Sequence, residues 1–289
     1  MDIAPHTNDK QASHVSSRDD SQSDLKDCNF VIHFPTCSSF RQILEYLYQS
    51  HKTIPLILSE KEISIYKAND NMSIVFDGVF HPYNLTFYYV DPELLKASKE
   101  NRYFIHIPTL PLLTYLKSVP KRQRFRILQR KSNPNFINIS FMDSDNISSD
   151  IRIDPSTESP GSLEVEDPIP IDQPNVTMHL SSFYHSTTGS GRISDRSSII
   201  SCFPKGVEIN GSSAHVASKS QVGFFKDDQE PICEIRVSGD VMKSISKLSS
   251  ICDEGIVRIY CQNKDYILLQ IPISVIGTAR IYFINPSRN

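Results

Sequence analysis

One order of elements occurs twice in this chain, and that repetition limits the fold more than any other feature. In the first half Leu112, Leu113 and Leu116 stand at helical spacing. A strand follows at Phe125 to Leu128, then a turn at Asn133-Pro134-Asn135, then a strand at Phe136 to Phe141. In the second half Val241, Met242, Ile245 and Leu248 stand at helical spacing. They are followed by a strand at Ile256 to Tyr260, a turn at Asn263-Lys264-Asp265 and a strand at Tyr266 to Ile271. The switch from helical to alternating periodicity comes at the same place in each half. The first half also opens with a strand and a helix. Phe30, Ile32 and Phe34 alternate with Val31 and His33, and Ser38 or Ser39 caps a helix running to about Ser50. Its apolar stripe is Phe40, Ile43, Leu44, Leu47 and Tyr48. Strands follow at Ile54 to Leu58, Ile63 to Lys67, Ser73 to Val79, Leu85 to Val90 and Tyr103 to Ile107. The predicted class is α+β: a duplicated unit, each copy a mostly antiparallel sheet with two helices on one face.

The 289 residues are enough for two such domains. Between them, Asp154 to Asn175 holds five prolines, six acidic residues and no Lys or Arg. Proline removes backbone donors and fixes φ, so this stretch reads as an extended acidic linker. Residues 1 to 27 are polar and lack aromatics, and they cannot bury enough surface to offset ordering entropy. The expected organisation is a disordered tail over 1–27, a first domain over 28–153, the linker over 154–175 and a second domain over 176–289.

The chemistry is mostly exclusion. No phosphate-cradling GxxxxGK[ST] loop, post-strand GxGxxG, HExxH or GxSxG occurs, so no enzyme, cofactor or metal site is predicted. A Cys–His nucleophile pair is spatial, and sequence does not settle it. The six cysteines form no CxxC pair, no stretch reads as a signal peptide, and no run is apolar enough for a membrane helix. An intracellular protein with reduced thiols and no membrane partner is expected. Gly189-Ser190-Gly191 reads as a flexible spot in a Ser/Thr-rich stretch.

Charge says more. Lys117, Lys121, Arg122, Arg124, Arg126, Arg130 and Lys131 follow one another without an acid among them, in a chain whose net charge is -3. Arg124 and Arg126 alternate on a strand and share a face. Such a run suits either phosphate contact or an ordinary solvated face. In the second half Arg192, Arg196, Lys243 and Lys247 are more dispersed, with Lys243 and Lys247 on one helical face. No base-reading motif accompanies these cations, so non-specific backbone contact is the natural expectation.

Four stretches carry a resemblance. They are Ser39-Phe40-Arg41-Gln42-Ile43-Leu44-Glu45-Tyr46-Leu47, Leu110 to Pro120, Ser149-Asp150-Ile151-Arg152-Ile153, and the closing strand from Val275 to Pro286 with Gly277, Tyr282 and Pro286. Together they resemble the eukaryotic-type sliding clamp family, that of proliferating cell nuclear antigen. The resemblance implies a ring of two-domain subunits, usually three, with helices lining the hole and sheets outside. Such a ring is a processivity factor with no activity of its own. It encircles double-stranded DNA, tethers DNA polymerase and other replication and repair proteins, and is opened by a clamp loader. By position, Arg41, Lys117, His185 and Lys247 would face DNA, and the charge pattern adds Lys121, Arg122, Arg192 and Lys243. The partner-peptide pocket would use Ala68, Met72, Leu163, Phe283, Asn285 and Pro286, with Val165 and Ile169 in the connecting loop.

The chain departs from the pattern where the first helix of domain two should lie. Ser-Thr-Thr-Gly-Ser-Gly has poor helix propensity and predicts a short or frayed helix. Gln42, Tyr48, Thr114 and Thr188 fall at positions often basic in the family. Such divergence suits a virus-encoded or otherwise specialised clamp, acting in the nucleus or at a viral replication site. Four readings stay open at this level: a homotrimer, a subunit of a heterotrimeric clamp, a monomeric or dimeric processivity subunit, and a clamp-folded transcription or scaffold factor.

Overall fold

The computed structural model of the chain describes residues 25–48, 51–69, 74–143, 146–155, 173–193, 197–213, 215–226, 228–248, 255–261 and 264–285. The predicted tail up to residue 24 and residues 156–172 of the predicted linker lie outside them.

β1 (Cys28–Phe34) realises the expected alternation, with Phe30, Ile32 and Phe34 fully buried. α1 (Cys37–Leu47) begins before the expected cap, and Thr36 holds the capping position without a side-chain bond. The orphan donors of the first turn are met from elsewhere. Cys37 N–H donates to the Gln123 carbonyl at 2.9 Å and Ser38 N–H to the Lys121 carbonyl at 3.1 Å. Phe40, Ile43, Leu44 and Leu47 form the buried stripe, but Tyr48 ends the helix exposed rather than inside it. β2 (Thr53–Leu58), β3 (Ile63–Ala68), β4 (Ile74–Phe80) and β5 (Phe87–Val90) fall within two residues of expectation. α2 (Pro92–Ala97) was not anticipated. Its cap is Asp91, whose carboxylate accepts from Glu93 N–H at 3.3 Å, with Pro92 in the first turn. β6 (Tyr103–Pro108), α3 (Thr109–Lys117), β7 (Arg124–Arg130), β8 (Ile137–Asp143) and β9 (Asn146–Ile153) complete the first half.

The second half runs β10 (Val176–His179), α4 (Leu180–Ile193), β11 (Ser197–Phe203), β12 (Gly206–Ser212), β13 (Ala217–Gly223), β14 (Cys233–Ser238), α5 (Gly239–Leu248), β15 (Ile256–Tyr260), β16 (Tyr266–Ile273) and β17 (Gly277–Ile284). Here α4 overturns two expectations. It is neither short nor interrupted at Gly189-Ser190-Gly191, and it spans 14 residues. Leu180, Phe183 and Thr187 are buried one turn apart, and the helix packs on α5, β12 and β13. The Ser186 and Thr187 hydroxyls turn back to the Ser182 and Phe183 carbonyls at 3.0 and 2.9 Å. Tertiary burial outweighs weak propensity.

The duplication runs deeper than two. β1-α1-β2-β3-β4, β6-α3-β7-β8-β9, β10-α4-β11-β12-β13 and β14-α5-β15-β16-β17 share one order, a strand, a helix and three strands, with β5 and α2 as additions. Units in a half exchange their first strands: β1 pairs with β7 and β6 with β2, as β10 pairs with β15 and β14 with β11. Three sheets result, in the orders β5-β1-β7-β8-β9, β13-β12-β11-β14 and β10-β15-β16-β17-β4-β3-β2-β6. The last is shared by both halves. Its seam is β17 against β4, antiparallel from Gly277↔Phe80 to Phe283↔Ile74.

The helices form a layer drawn from both halves. α1 packs on α3 and on α5, and α5 on α4. One hydrophobic core lies between this layer and the sheets. In it Phe34 stacks on Phe125 at 4.6 Å and meets Phe40 at 4.9 Å and Phe80 at 5.9 Å. Five described cysteines are buried free thiols. Cys202 and Cys233 are cross-strand partners, and contact with Cys261 together with burial raises the Cys233 thiol.

Candidate functional site

Two surfaces collect the residues singled out from the sequence. The first is the helical layer. Arg41 stands on α1, Lys117 ends α3, and Lys243 and the exposed His185 stand on α5 and α4. The side chains of Arg192 and Lys247, on α4 and α5, lie outside the described ones. Lys121 and Arg122 are exposed on the loop between α3 and β7. That loop is fastened to the start of α1 by the two backbone bonds above and by the Cys37 thiol, which donates to the Pro120 carbonyl at 3.2 Å. Folding therefore brings α1, α3 and their basic loop to one place.

Each described cation on these helices other than His185 has an acid beside it. Glu45 Oε1 lies 3.5 Å from Arg41 Nε and 3.7 Å from Lys117 Nζ, and Asp240 lies 3.6 Å from Lys243. The seven-cation run is not a single surface. In β7, Phe125 and Ile127 point into the core, so Arg124 and Arg126 point away from it and from the helices. Arg130 pairs with Asp27 at 3.6 Å and Lys131 with Asp91 at 2.7 Å. Opposite Arg126 in register sits His33, half-buried against the Phe87 ring at 5.3 Å. Burial, then Arg126 and Arg124, hold its pKa down at about 4, so the imidazole is neutral near pH 7.

The second surface is the outer face of the shared sheet. Register places Ala68, Val75, Tyr282, Leu268 and Tyr260 in one row across five strands and over the seam. Tyr66, Tyr266 and Ile284 pack against this row. The neighbouring row holds Asp77 and Arg280, paired across the seam at 3.1 Å. The Tyr66 and Tyr266 hydroxyl oxygens are screened from water and have no hydrogen-bond partner among the described residues. Of the predicted pocket residues, Ala68 lies in the row. Phe283 does not: it is fully buried in the core on the opposite face. Asn285 ties down the strand end, its backbone N–H donating to the Asp265 carbonyl at 2.7 Å and its amide to the Lys264 carbonyl at 3.1 Å. Met72, Leu163 and Pro286 lie outside the described residues. Tyr282 marks the closing strand in the sequence but is not among the predicted pocket residues, although its place on this face follows from the strand pattern. Arg280 marks the solvent-facing parity of β17, and Tyr282 and Ile284 share it.

Among the described residues no group of three or more His, Cys, Asp or Glu side chains is placed to hold a metal ion. Among them, too, no helix is long and apolar enough to cross a membrane.

No protein-family model matches the sequence, and no curated protein matches it. Among solved structures the fold is that of the PCNA sliding clamps. It superposes on Proliferating Cellular Nuclear Antigen from Entamoeba histolytica with a TM-score of 0.69 at 12% identity, covering 89% of this chain and 98% of that one. A chain of the PCNA2–PCNA3 complex from Sulfolobus tokodaii gives 0.68 at 13% identity, covering 88% and 98%. Neither organism supports a viral source for this chain.

Proposed function

We propose that this chain is a sliding-clamp subunit that closes into a homotrimeric ring around double-stranded DNA and tethers DNA polymerase and other partners by short peptides. In this reading it has no reaction of its own, a clamp loader opens it, and it works in the compartment where DNA is copied. The two halves, residues 28–153 and 176–289, act as its two domains.

The observation that carries this reading is the strand order. Inside the chain, the last strand of the first unit pairs with the last strand of the fourth at the β4–β17 seam. The last strands of the second and third units, β9 and β13, are terminal in their sheets. They are also the longest terminal strands, with eight and seven residues. A terminal strand is a template for pairing with another chain. β9 lies in one half and β13 in the other, so pairing them between copies is head-to-tail, which generates a ring when the rotation closes. A ring built this way continues the helical layer from copy to copy.

Light scattering with multi-angle detection tests the ring: about three times 32.8 kDa supports it, and a strict monomer at micromolar concentration sinks it. One solved neighbour is a complex of two different clamps, which keeps a mixed ring as the second reading. A chain that reaches trimer mass only with a different partner would favour it. For DNA, alanine at Lys117, Lys121 and Arg122 together should weaken retention and flatten its salt dependence while leaving the melting midpoint in place. Unchanged retention removes these residues from the DNA-facing surface. For partners, the tyrosine-lined row across the seam is the docking face, with Asn285 at the nearby strand end; Met72, Leu163 and Pro286 stay partner-contact candidates on the resemblance alone.

A further inference from the structure

Glu45 stands out on the helical face because one carboxylate oxygen serves cations from two helices, Arg41 on α1 and Lys117 on α3. Its side chain keeps 29% of its surface exposed and Lys117 keeps 53%, so both pairs reach solvent. Pairs of this kind add little to stability. Their effect on a passing polyanion is larger. Arg41 and Lys117 with Glu45 between them present one net positive charge, and without it they present two.

We infer that Glu45 is an internal counter-ion that limits how tightly the helical face holds DNA phosphates. This rests on the clamp reading above. A phosphate approaching Lys117 meets a carboxylate 3.7 Å from the ammonium, which weakens the local attraction, so contact remains shallow and exchangeable. The same oxygen lies 3.5 Å from Arg41 Nε, a buried atom with no hydrogen-bond partner among the described residues, so one carboxylate offsets the charge of both cations. A face of this kind favours passage along a duplex over residence at one place, because each phosphate contact it forgoes lowers the electrostatic barrier to the next step.

The test is binding of Glu45→Gln to an open-ended duplex of about 30 base pairs, followed by fluorescence anisotropy across salt, so that topological trapping plays no part. The expected result is roughly 3- to 10-fold tighter binding at about 0.1 M salt, with the log–log salt slope steeper by about one counter-ion. Glu45→Ala should give the same gain should the amide variant fold poorly. Adding Lys117→Ala to Glu45→Gln should return affinity towards wild type, since the net charge is then restored. Suppose Glu45→Gln binds no more tightly, at the same slope, while the Lys117, Lys121 and Arg122 triple variant weakens binding. The counter-ion role is then overturned and the clamp reading stands. If neither variant changes binding, the DNA-facing assignment falls and the counter-ion role falls with it.

Discussion

Gly277 begins β17 where that strand lies against β4. A Cβ built there would collide with the Val79 carbonyl oxygen and sit 3.0 Å from the Phe80 Cα. Both neighbours are backbone, so no side chain can turn aside, and β17 would have to retreat from its partner. The retreat would loosen the register pairs Gly277↔Phe80 and Thr278↔Val79 and the adjacent bond from His81 N–H to the Ile276 carbonyl at 2.9 Å. Overpacking costs about 1–3 kcal/mol and each weakened ladder bond about 1 kcal/mol, so Gly277→Ala should destabilise by roughly 2–4 kcal/mol. In a protein of this size that lowers the melting midpoint by on the order of 10 °C. Gly189 supplies the opposite case. It lies inside α4, and its Cβ would meet nothing within 4 Å. Gly189→Ala should therefore stabilise by about 0.5–1 kcal/mol, since alanine restricts the unfolded chain and suits a helix interior. The chain has no tryptophan, so far-UV circular dichroism and tyrosine fluorescence are the probes for thermal and urea melts. A Gly277→Ala protein that melts with the wild type would refute the close seam. A Gly189→Ala protein that melts below it would refute the continuous α4.

Two further outcomes are expected. His33 has a folded pKa of about 4 against 6.5 unfolded, so the folded state binds fewer protons between those values. The stability His33 contributes is full above about pH 6.5 and is lost as pH falls towards 4, by about 1 kcal/mol after discounting for solvent screening. His33→Asn should remove that part of the pH dependence in urea midpoints, and an unchanged slope would show that burial and the two arginines do not hold the imidazole neutral. Ala68→Arg should abolish binding of clamp-type peptides at the Tyr282 row, read by calorimetry, and leave DNA retention as it was; full peptide affinity would move the docking face elsewhere.

Most of the fold could be read from periodicity because burial enforces it. Alternation at Phe30, Ile32 and Phe34 and the stripe from Phe40 to Leu47 survive intact in the core. What failed was local propensity taken without context. α4 is helical against its Ser/Thr/Gly content because α5 and two strands cover it. α2 was missed although Asp91-Pro92 carries both capping signals. The candidate surfaces divide in the same way. The Arg41–Glu45 pair is four residues apart on one helix and needs only the helix to be seen. Its Lys117 arm depends on how α1 packs against α3, which no spacing records. The basic run changes face at Phe125, which proximity in sequence does not show.

The β4–β17 seam joins parts of one covalent chain, so its strength does not depend on how much protein is present. A seam between β9 and β13 of separate copies answers to mass action. In such a ring, dilution acts on the second kind alone. Any machine that opens the ring at the weaker joint would leave every subunit whole.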